Sequence, residues 1–123
     1  MKIKKLVIII LIIILCGCTN GKKNAHVVKK IDCEEKDSLL LDGAVLIDVR
    51  TNSEYEILHL DGAFNIGYNL IEKKIESIVS SKDTKIIVYC QSGARSSIAA
   101  QTLIDLGYEN VYDLGSIDNC SNM

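Results

Sequence analysis

The chain has 123 residues, enough for one domain and a short extension, and carries 14 basic against 16 acidic residues for a net charge of −2. No run of like charge exceeds two residues, so neither a nucleic-acid-binding face nor a charged tail is expected. The hydrophobic fraction of 48% is inflated by one N-terminal run.

That run is LVIIILIIIL, Leu6–Leu15, preceded by Lys2, Lys4 and Lys5 and followed by LCGC. Ten apolar residues are too few to span a bilayer, which needs about 20, but they suit the apolar core of a secretory signal. A leucine, two small residues and a cysteine after such a run resemble the lipobox of bacterial lipoproteins. The resemblance implies cleavage before Cys18, a diacylglycerol on its sulfur, and a domain tethered to the extracytoplasmic face of the cell membrane. An uncleaved apolar anchor is the alternative; Cys16 fits less well, because Leu15 would then stand where a small residue is needed. Loss of residues 1–17 leaves eleven basic and sixteen acidic residues, a net charge of −5. Residues 18–25 read as the lipidated cysteine and a polar tether, and residues 26–123 as the folded domain.

Within the domain, HVVKKI (26–31) reads as a first strand and CEEKDSLLLDG (33–43) as a short helix closed by Gly43. AVLIDV (44–49) is nearly all apolar, as expected of a strand buried on both faces of a parallel sheet. SEYEILHL (53–60) reads as a helix with Ser53 as N-cap, and AFNIG (63–67) contains a brief strand. The spacing of Ile71, Ile75, Ile78 and Val79 predicts a helix over 69–81. KIIVYC (85–90) is a second buried strand, ARSSIAAQTLIDLG (94–107) the longest helix, and NVYDL (110–114) the last strand. The alternation predicts an α/β fold, a parallel sheet of about five strands flanked by helices in three layers.

In such sheets ligands gather outside the carboxyl ends of the strands. Cys90 stands at one of these ends, followed by Gln91, Ser92, Gly93 and Ala94 and then Arg95. A loop of this kind turns successive N–H groups into a concavity, helped by the helix N-terminus behind it. Those donors and the Arg95 guanidinium are expected to lower the Cys90 pKa. Ser96 and Ser97 fall in the first helical turn, where hydroxyls can satisfy free N–H groups. A buried structural cysteine is the plain alternative. The arginines argue for more: the chain uses twelve lysines but only Arg50 and Arg95, and arginine supplies planar multi-donor bonding that lysine cannot.

IDVRTNSEYEILHLDGAFNI (47–66), followed by IIVYCQSGARSSIAAQTLIDLGYENVYDLGSI (86–117), resembles the single-domain rhodaneses, which are sulfurtransferases. The resemblance runs from about residue 26 to the C-terminus. It maps the family's Cys-x-x-Gly-x-Arg loop onto Cys90, Gly93 and Arg95, and its upstream motif onto Asp48, Arg50, Glu54 and His59. It implies that Cys90 takes sulfane sulfur from a donor such as thiosulfate, carries it as a persulfide, and yields it to cyanide or a thiol, with no cofactor and no metal. Cell-cycle dual-specificity phosphatases share the architecture with one more residue between Cys and Arg, which widens the cradle for phosphate; the four residues here leave it sulfur-sized. A rhodanese-like binding or thiol-redox module at the cell surface is the alternative function, and no protein partner is legible.

Asp48, Arg50 and Glu54 are expected to support the loop, with Arg50 and Glu54 pairing across the strand-to-helix turn; His59 is expected to be a half-buried polar residue in a supporting place, whereas His26 is expected to be solvated. Cys33, Cys90 and Cys120 are too far apart in sequence for a structural zinc pattern. They form an odd set in a compartment where disulfides persist. Cys120 is therefore expected either to resolve the Cys90 persulfide or to pair with Cys33. Two departures from the family stand out: Gln91, where a basic residue is common, which weakens the case for an anionic donor, and Gly67, where proline is common.

Overall fold

The computed structural model describes residues 25–120; the signal segment, Cys18 and most of the tether lie outside them. Five strands, β1 (Lys29–Lys30), β2 (Val45–Asp48), β3 (Phe64–Asn65), β4 (Lys85–Cys90) and β5 (Asn110–Ser116), pair in parallel in the order β1-β5-β4-β2-β3. The helices are α1 (Cys33–Leu41), α2 (Asn52–Ile57), α3 (Ile71–Ile78) and α4 (Ala94–Asp105), with 3₁₀ turns at Tyr68–Leu70 and Ile117–Cys120. The expected α/β fold is therefore present. Among the described residues no helix is long and apolar enough to cross a membrane.

The period of two in β4 builds the three layers. Ile86, Val88 and Cys90 face one side, where they meet Ile71 and Ile75 of α3 and Ala99, Ala100 and Leu103 of α4. Ile87 and Tyr89 face the other, against Leu39 and Leu40 of α1, Tyr55 of α2, and Ile117 and Cys120. Both faces of the strand are buried, which is why its sequence is a continuous apolar run rather than an alternating one.

Several element boundaries differ from the sequence reading, among them the last strand, which runs two residues further, to Ser116. The first strand is only Lys29–Lys30, because β1 meets β5 at a sheet edge through just two residue pairs. The helix expected over 53–60 starts one residue earlier and stops at Ile57. Its N-cap is Thr51, not Ser53, because Thr51 Oγ1 accepts the Glu54 N–H while the Glu54 carboxylate accepts the Thr51 N–H, a reciprocal capping box. Leu58 is extended, and its carbonyl turns out to accept from Arg50. The helix expected over 69–81 is a 3₁₀ turn, with the Leu70 N–H bonded to the Gly67 carbonyl, followed by eight α-helical residues. Its apolar stripe is as read: Ile71, Ile75 and Val79 are buried and Ile78 half-buried.

Cys33 and Cys120 form a disulfide with 5.3 Å between Cα atoms, closing a loop of 87 residues. This decides between the two roles expected for Cys120. Its side chain lies in the α1-side layer while Cys90 belongs to the α4-side layer, so the sheet separates the two sulfurs. Cys90 is the single free cysteine among the described residues.

Candidate active site

The parallel sheet delivers Asp48 and Cys90 to the same end, because Ile47 pairs with Val88 and Asp48 with Tyr89. Beyond Cys90 the chain turns through Gln91, Ser92 and Gly93 into α4. Gly93 caps that helix with φ +99°, a left-handed conformation that disfavours any side chain. A β-bulge brings Gly115 behind the loop. The β4–β5 register passes from Val88–Asp113 to Tyr89–Gly115, so Leu114 is left without an opposite residue. Gly115 then packs against Gly93, where an added Cβ would stand 3.7 Å from the Gly115 Cα. Ser116 Oγ donates to the Gln91 carbonyl at 2.6 Å and fixes the first loop residue.

Cys90 is wholly buried, and the Gly93 N–H points at its Sγ from 2.9 Å. Burial pushes the thiol pKa up. The Ser96 N–H and hydroxyl and the N–H groups of Gly93 and Ser92 more than offset this, and the net shift is downward from the ordinary thiol value. Donors around a buried sulfur at a helix N-terminus favour the thiolate, the nucleophilic form, over the thiol. The Ser96 hydroxyl also lies 3.0 Å from the Gly93 carbonyl, to which it donates, so it braces the loop rather than capping helix N–H groups. Ser97 is exposed, with its N–H on the Gly93 carbonyl.

Both arginines are at this end of the sheet, with partners other than those expected. Arg50 does not pair with Glu54. Its Nε lies 3.0 and 3.1 Å from the two Asp48 carboxylate oxygens and its Nη2 2.7 Å from Oδ2, a forked pair with both side chains buried. The remaining donors reach the Leu58 carbonyl at 2.6 Å and Gln91 Oε1 at 3.4 Å. Glu54 instead accepts two bonds from Arg95, at 2.8 and 3.0 Å. The physical reason is direction. Asp48 already lies against the Arg50 backbone N–H at 2.9 Å, whereas Glu54 sits in the first turn of α2, facing the first turn of α4. Arg95 thus grips α2, and its guanidinium acts on the Cys90 sulfur by charge across space.

The Arg95 guanidinium and the Thr51 N–H lower the Glu54 pKa from 4.5 to about 2. The folded value lies below the ordinary one, so this clamp stabilises the fold fully above about pH 4.5 and is lost as pH falls toward 2. The thermal midpoint is expected to drop across that window, and to drop less in Glu54→Gln; circular dichroism melts against pH check it.

His59 is exposed, stacked on Tyr55 with ring centroids 3.8 Å apart, its Nδ1 2.8 Å from the Tyr55 carbonyl. The half-buried supporting place expected for it is thus corrected: the ring packs on the outside of Tyr55, and its hydrogen bond and its stacking contact are both to Tyr55. Three supporting residues escaped the sequence reading. Tyr89 lies under the Arg50 guanidinium and accepts the Leu60 N–H on its hydroxyl at 3.0 Å. Asn65 donates to the carbonyls of Asp48 and Arg50, both at 3.0 Å. Ser116 is the third, through its bond to the Gln91 carbonyl. The one available signal was Tyr89 itself, a hydroxyl in an otherwise aliphatic strand. Among the described residues no group of three or more acidic, His or Cys side chains could hold a metal.

Comparison with known proteins follows the same lines. The rhodanese-like domain family matches residues 32–122. The adenylyltransferase and sulfurtransferase of Candida albicans is 38% identical over 85 residues, 63% of this chain but 19% of that protein. The chain thus spans about a fifth of that longer relative. The thiosulfate sulfurtransferase PspE of Escherichia coli is 34% identical over 71 residues, 58% of this chain and 68% of that one. Among solved structures, a rhodanese with anions from E. coli superposes with a TM-score of 0.62 at 30% identity, covering 64% of this chain and 93% of the other. The five-stranded parallel sheet, the cysteine-to-arginine loop at its carboxyl end and the match over 32–122 place this chain in the rhodanese-like domain family.

Proposed function

We propose that the protein is a sulfurtransferase that carries sulfane sulfur on Cys90 and is held at the extracytoplasmic face of the membrane through a lipid on Cys18. The observation that carries the reading is the buried Cys90 sulfur, with the Gly93 N–H 2.9 Å away and four residues between it and Arg95. The Cys90 thiolate attacks the outer sulfur of a donor and the donor's inner S–S bond breaks. The electron pair leaves with the remaining fragment, sulfite from thiosulfate or a thiolate from a persulfide. An acceptor, cyanide or a thiol, then attacks the outer sulfur and Cys90 departs as the thiolate. Both steps move negative charge within a ring of fixed N–H donors, so no proton-shuttling histidine is needed. The relatives named as thiosulfate sulfurtransferases support this chemistry. The Cys33–Cys120 disulfide supports an extracytoplasmic location, because such bonds persist in oxidising compartments.

Intact mass spectrometry before and after incubation with a sulfane donor tests the proposal. The expected result is one added sulfur on Cys90, removed by cyanide with release of thiocyanate. The pH profile of Cys90 alkylation is expected to have its midpoint below that of a free cysteine. An unchanged mass with every sulfane donor would refute the reading.

A further inference from the structure

Among the described residues, both arginines at the Cys90 loop are already neutralised by this chain, while Lys30 lines a separate cavity with Ser97 and Asp113 that includes none of residues 90–95. Arg50 is forked onto Asp48 and Arg95 is doubly bonded to Glu54. The four loop residues between Cys90 and Arg95 carry no charge. Lys74 lines a cavity of about 460 Å³ together with Arg95, but neither Cys90 nor residues 91–94 line it. A larger groove of about 740 Å³, between α1 and β1, shares no residue with the loop. The exposed charges on the segments that flank the loop are acidic: Glu56 in α2, Asp61 after it, and Asp118, whose N–H is bonded to Ser116 Oγ, which in turn holds Gln91.

The loop has instead an apolar lip. Ile57 is 86% exposed and Leu58 64% exposed. Leu58 is tied to the loop by a single guanidinium, since Arg50 donates both to its carbonyl and to Gln91 Oε1. The segment that carries both side chains is therefore linked to the Gln91 side chain through one guanidinium, and its exposed apolar surface is available to the body of a donor.

We infer, on the sulfur-transfer reading above, that Cys90 draws its sulfur from a persulfide carried on an apolar, low-charge thiol in preference to the thiosulfate dianion. The Cys90 thiolate attacks the terminal sulfur of R–S–SH, a new S–S bond forms, and the donor S–S bond breaks. The carrier leaves as R–S⁻ with the electron pair, and the proton stays on the transferred sulfur, so no oxidant or reductant is consumed. Such a donor brings at most one negative charge, on the sulfur that the loop amides receive, and rests its body on Ile57 and Leu58. Thiosulfate brings a sulfonate for which residues 91–94 hold no charge and both arginines are already paired, while the exposed charges on the flanking segments are acidic.

The test measures the rate of sulfur loading on Cys90 by intact mass, comparing thiosulfate with the persulfide of N-acetylcysteine methyl ester. The persulfide is expected to be favoured by about tenfold or more in kcat/KM, the effect of one unsatisfied charge interaction. Gln91→Lys is expected to shift the ratio toward thiosulfate by about tenfold, Leu58→Asp to lower loading from the persulfide, and Lys74→Ala to leave the ratio where it is. Equal or faster loading by thiosulfate, or a ratio that Gln91→Lys does not move, would overturn the inference while leaving sulfur transfer intact. Loading by neither donor would overturn both.

Discussion

Cys90→Ser is expected to take up no sulfur and to lose turnover by roughly 10³-fold or more, the scale seen when a nucleophile is removed. A serine hydroxyl in the same place is still reached by the Gly93 N–H, but it stays protonated at neutral pH and cannot form a persulfide. The fold is expected to survive, because Ser96 and Ser116 brace the loop through backbone carbonyls and not through the Cys90 sulfur. Intact mass after donor treatment, with circular dichroism to establish folding, checks both halves. Undiminished sulfur uptake by folded Cys90→Ser would place the acceptor sulfur elsewhere and remove Cys90 from its role.

Opening the Cys33–Cys120 disulfide carries the largest expected cost in stability. A cross-link closing 87 residues removes chain entropy from the unfolded state worth about 4.5 kcal/mol. The expected result is a fall of that order in unfolding free energy on reduction, read from urea titrations. The Cys33→Ala/Cys120→Ala protein should show the lower value with and without reductant. A reductant effect of the same size in the double variant would assign the loss to something other than this bond. The 3₁₀ turn that ends at Cys120 also carries Asn119, whose side chain donates to the Leu114 carbonyl at 2.8 Å, and Asp118, bonded to Ser116. Loss of the bond is therefore expected to loosen the support of Gln91 as well, and to appear as faster hydrogen exchange in residues 114–118.

Much of the fold was legible because it rests on local patterns. KIIVYC is apolar on both faces, so it could only be a strand in the middle of a covered sheet, and the alternation of strands and helices then left few topologies. Helix limits were less legible. Ser53 and Thr51 are both acceptable N-caps, and the choice went to the residue whose partner three positions on, Glu54, could cap it in return. Where α2 ends was decided from outside it, since the Leu58 carbonyl is drawn to Arg50 and the Leu60 N–H to Tyr89.

The cysteine-to-arginine spacing, the glycine needed at a left-handed position and the scarcity of arginine were all properties of the sequence by itself, and they marked the loop that forms the candidate site. Which charges cancel there was decided by the tertiary structure alone. Arg50 and Glu54 lie one helical turn apart in sequence and invite pairing, yet each bonds a different partner, Asp48 and Arg95. Hydrogen bonding depends on distance and direction in space, and the second partner of Glu54 comes from a strand-and-helix unit 41 residues away. The Cys33–Cys120 bond belongs to the same class, because only the packed layers show which two of three sulfurs share a face of the sheet.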